Sequence, residues 1–391
     1  MPNADSPVKA SGQSPVDLLV AGGGVMGLWT ALFAAQKGLS IRLVDRRYIG
    51  SGASGGVLGA LMPHLPDRWN AKKAFQFAAL VSLEGEIAAL EAETGLSTGY
   101  RRSGRFIPLA KPQNRDNAIG QVRDARAVWT TPDRAFAFEL LDTAPIAGWP
   151  ARDAMPYGLV HDHLAARLSP RGLVAALKAA LRHRANVEIT EGTGLAALDP
   201  AAGLGRLDDG TVLSFGHCVL AAGVETFPLL QLLTPLAKPA GMGVKGQAAL
   251  LKASVDPAQP VIFADGLYIV PHENGLVAIG STSENSFEDA ESTDHMLEAL
   301  VENARHMAPV LANAPVVQRW AGLRPKAIGR EPMVGRHPDH ANLSLMTGGF
   351  KVSFGLAHAL ARTVLDEIEG GTLDVPPSFT VTAHIEQAGR I

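Results

Sequence analysis

The residues with the clearest chemical potential lie near the start of the chain. Gly22-Gly23-Gly24-Val25-Met26-Gly27 matches G-x-G-x-x-G directly after the apolar run Val16–Ala21. A strand that ends in such glycines and runs into a helix turns backbone N–H groups, with the positive end of the helix, toward an anion. Gly22 permits the tight turn, Gly24 lets the backbone of Gly24, Val25 and Met26 approach a pyrophosphate, and Gly27 allows close packing of helix on strand. Asp45 follows roughly 20 residues later, where a carboxylate reaches a ribose hydroxyl. A dinucleotide is the ligand this spacing predicts. Arg46 and Arg47 come next; an arginine here accommodates the 2′-phosphate of NADP, and a solvated strand end is the plainer reading.

Other segments narrow the choice of dinucleotide. They are Gly50-Ser51-Gly52-Ala53-Ser54-Gly55-Gly56, Gly59-Ala60-Leu61-Met62-Pro63, Ala221-Ala222-Gly223, Lys245-Gly246-Gln247, Gly280-Ser281-Thr282-Ser283-Glu284, Gly322-Leu323-Arg324-Pro325 and the stretch from Thr347 to Gly355. In this order they resemble the FAD-dependent D-amino-acid oxidase superfamily. The likeness spans residues 16–369 and is close to the glycine oxidase group and to the oxidase half of the enzyme that completes the wobble-uridine side chain of transfer RNA. It implies an α/β fold: a glutathione-reductase-like, dinucleotide-binding FAD domain with an interleaved α+β substrate domain built on a largely antiparallel sheet. The expected division is 16–99, 157–235 and 324–391 for the FAD domain, and 100–156 and 236–323 for the substrate domain.

The resemblance also implies roles. Ala53, Ser54, Gly59 and Leu61 fall in its second flavin-contacting loop, Val187 where a backbone contact to adenine is usual, and Ala222 and Gly223 at the strand-ending A-x-G. Gly349, Phe350, Lys351, Val352 and Ser353 form its C-terminal flavin loop, where amides and a basic side chain stabilise charge at the flavin N1–O2 edge. Lys351 stands where glycine oxidases have arginine, and Val352-Ser353 replace their Asn-Gly. Arg324 is the expected carboxylate clamp, because a planar guanidinium offers two parallel charge-assisted hydrogen bonds. A structural salt bridge is its other reading. Tyr268 resembles the sheet tyrosine that reaches toward substrate, or is a half-buried strand aromatic.

The activity so implied is oxidation of the C–N bond of a small amino acid or secondary amine, by hydride transfer to flavin N5 and hydrolysis of the imine. Electrons go to oxygen or, in a quinone-linked dehydrogenase of D-amino acids, to a quinone. A flavoprotein acting on the carboxymethylaminomethyl uridine of transfer RNA is the further alternative. It needs a positive approach, for which Lys72, Lys73, Arg101, Arg102 and Arg105 are the candidates. A homo-oligomer is compatible with the reading.

Composition limits the rest. The 391 residues carry 47% hydrophobic and 19% charged side chains and a net charge of −3, so no global field favours nucleic acid. The single cysteine, Cys218, excludes a disulfide framework, a cysteine-based zinc site and a cysteinyl flavin link, so FAD is expected to bind non-covalently. His161-x-His163 and His337-x-x-His340 lack evident acidic partners, and no metal site is expected. His64 stands close behind the second glycine loop, near the active site or on a loop surface. The first fifteen residues read as a disordered lead without a signal sequence, no run spans a bilayer, and a cytoplasmic protein is expected.

The positioning elements follow from pattern. Residues 16–21 and 41–45 read as buried strands on either side of a helix over 24–37 that stops at Gly38. Helices are also predicted over 71–94, from Ser169-Pro170 to about Arg184, from a cap at Ser292 or Thr293 to Pro309, and over 355–369. Strands are predicted over 187–190 and 218–222, a hairpin turns at Asp208-Asp209-Gly210, and residues 244–279 suggest an antiparallel sheet.

Overall fold

A computed structural model of the chain describes residues 15–391; all but the last residue of the expected lead fall outside these. Two eight-stranded sheets organise the molecule. In the first, Val16–Ala21 lies between Val212–Leu220 and Ile41–Asp45, parallel to both. Beyond these, His340–Thr347 and Met333–His337 extend one side and Val187–Glu191 the other, while Leu195–Asp199 and Leu204–Leu207 branch off as an antiparallel appendage. Alternate residues of the central strand feed different cores. Leu18 and Val20 pack with the helices Val25–Gln36, Ala71–Thr94, Pro170–Arg182 and Ser353–Ile368, and Leu19 and Ala21 pack with Thr226–Leu233 and Val381–Ala388 on the other face. Burial on both faces is why the strand is apolar from Leu18 to Ala21.

The second sheet runs in the order Val316–Ala327, Gly241–Lys252, Leu276–Gly280, Leu267–His272, Val261–Ala264, Arg105–Pro108, Leu159–Asp162 and Phe138–Leu141. It is antiparallel except where Val261–Ala264 meets Arg105–Pro108. Helix His295–Met307 covers one face, burying Leu297, Val301 and Ala304. Divided by sheets, the chain departs from the expected boundaries: Leu159–Asp162 completes the second sheet, and Val316–Ala327 stays in it to its end.

Local readings hold with small shifts. Ser169 accepts the Gly172 N–H and caps Pro170–Arg182. The helix expected to be capped by Ser292 or Thr293 is capped by Asp294, which accepts the Met296 N–H and is itself held by Gln247. The strand expected over 218–222 ends at Leu220, and the last helix begins at Ser353. Helix Pro112–Val128 was not foreseen because it buries only Ala118 and Ala125 and shows no apolar stripe. Among the described residues no helix is long and apolar enough to cross a membrane. Ser169→Ala is expected to cost about 1 kcal/mol of stability, read as a lower urea midpoint with the flavin still bound.

Candidate active site

The site is built where the parallel strands of the first sheet end. Gly22, at φ +114°, turns the chain so tightly beneath Ala221 that a Cβ would collide with the Ala221 carbonyl. A Cβ on Gly27 would strike the Gly22 carbonyl, so the helix packs on the turn as its glycine predicts. Asp45 accepts the Gly23 N–H at 2.8 Å and the Arg47 N–H at 3.0 Å, tying the ends of two strands together. Ser54 reaches back from the second glycine loop to accept the Val25 N–H at 3.0 Å. Arg46 is paired with Asp208 and Glu225, and Arg47 with Glu291 and the Ser51 carbonyl.

A second helix N-terminus converges on this point. Thr347 donates to the Gly223 carbonyl, Phe350 N–H to the Pro325 carbonyl, and Gly349 packs on Met26 and Ser353. Phe350, at φ +45°, is a non-glycine residue held in the left-handed region, the kind of backbone strain that collects at functional sites. Neither Gly24 nor Val352 caps its own helix with a side chain. Two helix dipoles therefore act on one place.

The second sheet supplies the opposite wall, and its register decides which residues face inward. Val261 lies beside Arg105, Phe263 opposite Tyr268, Tyr268 opposite Gly280, Gly280 opposite Ala248, and Ala248 opposite Trp320. Because side chains alternate along a strand, Arg105, Phe263, Tyr268, Trp320 and Arg324 all stand on one face. Arg324 is buttressed: Nη1 donates to Ser281 Oγ at 2.8 Å, and Nη2 to the carbonyls of Thr282 at 2.5 Å and Lys245 at 3.2 Å. Its Nε is buried without a protein partner, and its Cζ lies 5.3 Å from the Phe350 ring centre. Burial draws this guanidinium below its ordinary range, against the influence of Tyr268 and Glu284.

The Lys-Gly-Gln and Gly-x-Thr-x-Glu segments explain that buttress. Gln247 accepts the Asp294 N–H and donates to Glu284 and Asp294, Thr282 binds Gln247 N–H and Glu284, and the buried Lys245 ammonium lies between Glu284 and Asp294. Gly246 leaves room for the arginine: a Cβ there would stand 2.5 Å from Arg324 Cζ. Ser281 lines the cavity, whereas Lys245, Gly246, Gln247, Thr282 and Glu284 hold Arg324 in place without lining it.

Between the two walls lies a cavity of about 750 Å³, in the upper part of the roughly 300–1,000 Å³ typical of small-molecule sites. Residues 17–366 match the model of the FAD dependent oxidoreductase family. The chain belongs to this family. It is 30% identical over 371 residues to a glycine oxidase of Pseudomonas putida, covering 92% of this chain and 96% of that one. With a glycine oxidase of Pseudomonas aeruginosa it shares 30% identity over 394 residues, 96% of this chain and 99% of the other. Its fold matches the crystal structure of glycine oxidase from Geobacillus kaustophilus with a TM-score of 0.83, at 21% identity and covering 95% and 100% of the two chains.

FAD is thus the cofactor of the family, and the residues present fit it. The glycine cradle and both helix N-termini suit a pyrophosphate and an electron-rich ring edge. Lys351 lines the cavity with its ammonium 5.6 Å from the Phe350 ring centre and has no anionic partner among the described residues. Gly22, Gly24, Val25, Met26, Asp45, Ala53, Ser54, Gly59, Ala222, Gly223, Phe350, Val352 and Ser353 line the same space, as do Arg46, Arg47, Tyr268 and Arg324. Cys218 is fully buried in its strand, and burial pushes its thiol up, so no thiol reaches a flavin.

Four expected contacts are placed elsewhere. Val187 pairs with Ile41 at the start of its strand, the end remote from the glycine turns, and Gly194 and Leu195 line the cavity beyond that strand's far end. Leu61 points into the core while its neighbours Ala60 and Met62 face the cavity. Gly27 and Gly349 act by packing. Sequence reasoning missed Trp320 and Phe263, which look like ordinary strand aromatics until the register turns them inward. His64 does line the cavity, and its imidazole is held below the usual range chiefly by burial.

The basic residues expected to guide transfer RNA each have partners within the chain. Lys72 pairs with Glu331, Lys73 bonds the Leu65 and Asp67 carbonyls, Arg101 pairs with Glu273, Arg102 with Glu84, and Arg105 with Asp162. The histidine pairs also differ from expectation. Glu139, on the adjacent strand, lies 2.8 Å from His163 Nε2 and 4.0 Å from His161 Nδ1, an acidic partner that only strand pairing reveals. His337 is fixed by Thr234 in a hairpin.

Two outcomes follow. Gly246→Ala is expected to lower kcat/KM for an amine substrate about tenfold or more while FAD stays bound, since overpacking here costs about 1–3 kcal/mol. Burial, reinforced by Arg324, pulls the Lys351 ammonium below the lysine range. Its charge therefore drops out as pH rises, earlier than for a free lysine. Sulfite affinity of the bound flavin, titrated against pH, is expected to fall along an alkaline limb that Lys351→Arg moves upward.

Proposed function

We propose that the protein oxidises the C–N bond of a small amino acid or secondary amine carrying a carboxylate, using FAD and passing electrons to oxygen in the cytoplasm. The observation that carries this is the buttressed Arg324, a half-buried cation facing the cavity on the sheet opposite the glycine turns. The two Pseudomonas relatives, each 30% identical to this chain, are glycine oxidases. Bound FAD supplies the two-electron acceptor.

The chain's own groups bind and orient. Nη2 of Arg324 is spent on two carbonyls and Nε is buried, so Nη1, with a hydrogen beyond the one given to Ser281, is the donor left for a carboxylate oxygen. The Tyr268 hydroxyl supplies a second. Burial raises its pKa, so it stays protonated and able to donate across the working range. This replaces the two parallel donors expected of Arg324 alone. The cavity's carboxylates are Asp45, Glu225 and Glu291, bonded to amides at the glycine turns or paired with Arg46 and Arg47, so no acid stands on the substrate wall as a base. The amine therefore binds neutral, and catalysis is orientation and electrostatics. Phe263, Trp320 and Phe350 exclude water from the reacting carbon.

Arg324→Ala is expected to lower kcat/KM about a hundredfold or more, as for other truncated charge pairs, with FAD retained. Turnover equal to the parent would remove the carboxylate-holding role. Anaerobic mixing with glycine, sarcosine, proline and D- and L-amino acids is expected to bleach the flavin, with peroxide appearing when air returns. A yellow protein that no carboxylate-bearing amine bleaches would defeat the proposal, and bleaching without peroxide would move the acceptor to a quinone.

A further inference from the structure

Arg105 is a second cation on the substrate wall, and binding one carboxylate at Arg324 leaves it unused. It is only 4% exposed, yet it lines the cavity on the same sheet face as Phe263, Tyr268 and Arg324. Its placement is built. Asp162 stands directly opposite it in the antiparallel ladder, fully buried, and accepts Arg105 Nη2 on Oδ2 at 2.5 Å. The other oxygen of Asp162 accepts the N–H groups of Leu164 and Ala165, at 2.9 and 3.0 Å. Asp162 thus orients the guanidinium with one oxygen while its other oxygen is engaged by amides, and it does not line the cavity. Arg105 keeps Nη1 and a buried, unpartnered Nε, and its Cζ lies 5.9 Å from the Phe263 ring centre.

A buried arginine with spare donors at a cavity wall is costly unless a ligand completes it. The carboxylates lining the cavity are bonded to amides at the glycine turns or paired with Arg46 and Arg47, so none of them serves Arg105. Tyr268 is close enough to both guanidiniums for each to bear on its hydroxyl. The wall therefore has two cationic poles with a phenol and aromatic rings between them, a pattern that fits a ligand charged at both ends.

We propose that the substrate is an amine bearing two carboxylates, one held by Arg324 and Tyr268 and the other received by Arg105, so that Arg105 selects an acidic amino acid or an N-carboxymethyl amino acid over glycine. This rests on the function proposed above and narrows it. Neither arginine changes covalently, and the oxidation stays at the C–N bond between the two anionic ends.

The test uses the FAD-loaded protein and inert acids, so it does not depend on turnover. Dissociation constants of acetate, malonate, succinate and glutarate are read from the shift of the visible flavin band. One diacid is expected to bind at least tenfold more tightly than acetate, and Arg105→Met is expected to abolish that advantage while leaving acetate binding unchanged. Because the single change strands Asp162, Arg105→Met with Asp162→Asn is measured beside it and should behave alike. Diacids no tighter than acetate, or an advantage that persists in the double variant, would overturn the proposal. Iminodiacetate and aspartate against sarcosine and glycine then give the kcat/KM ratio, expected to favour the diacids in the parent and to collapse in the variant. If no amine bleaches the flavin while a diacid still binds through Arg105, the oxidase reading fails and the second pole stands.

Discussion

Side-by-side parallel pairing of Val16–Ala21 with Ile41–Asp45 and Val212–Leu220 brings the carboxyl ends of three strands to one line. Gly22, Asp45 and Ala221 meet there because the register leaves them no alternative, and the first helix starts where its N–H groups face outward from that line. The glycines are steric consequences of this closeness: a side chain at Gly22 or Gly27 would meet a carbonyl oxygen. Ligands of open parallel sheets bind at such an edge. The C-terminal loop, tied to Gly223 by Thr347 and to Pro325 by Phe350, brings a second helix end and Lys351 to the same place.

The second sheet does a different job. Apart from the loop whose Glu291 pairs with Arg47, it contributes a face, so what it offers depends chiefly on register. A one-residue slip would bury Arg324 and Tyr268 behind the sheet. The polar network of Lys245, Gln247, Thr282, Glu284 and Asp294 guards against that, since a buried polar group that loses its partner costs about 1–3 kcal/mol. The network also explains why Arg324 presents one nitrogen to a ligand while the other is anchored to backbone.

Much of the site was legible because it is local. The turn at Gly22, the acid at Asp45, the cap at Ser169 and the hairpin at Asp208-Asp209-Gly210 each express a preference contained within a few neighbouring residues. Helix Pro112–Val128 was illegible because it buries only Ala118 and Ala125 and lacks a periodic stripe. Val187 was assigned to the wrong end of its strand because composition marks a strand without saying which end faces a ligand.

The sequence alone determined the dinucleotide turn, the carboxylate that closes it and the order of segments that identifies the family, because these depend on glycine geometry and on spacing along the chain. Only the tertiary structure decided what the charged residues do. Lys72, Arg101 and Arg102 are paired with acids from other elements, Lys73 bonds carbonyls of the loop before its own helix, Glu139 joins His161 and His163 across a strand pair, and Arg105 moves from an apparent surface charge to the cavity wall. The reason is physical: a charge acts through its neighbours in space and its exposure to water, and long-range strand register sets both.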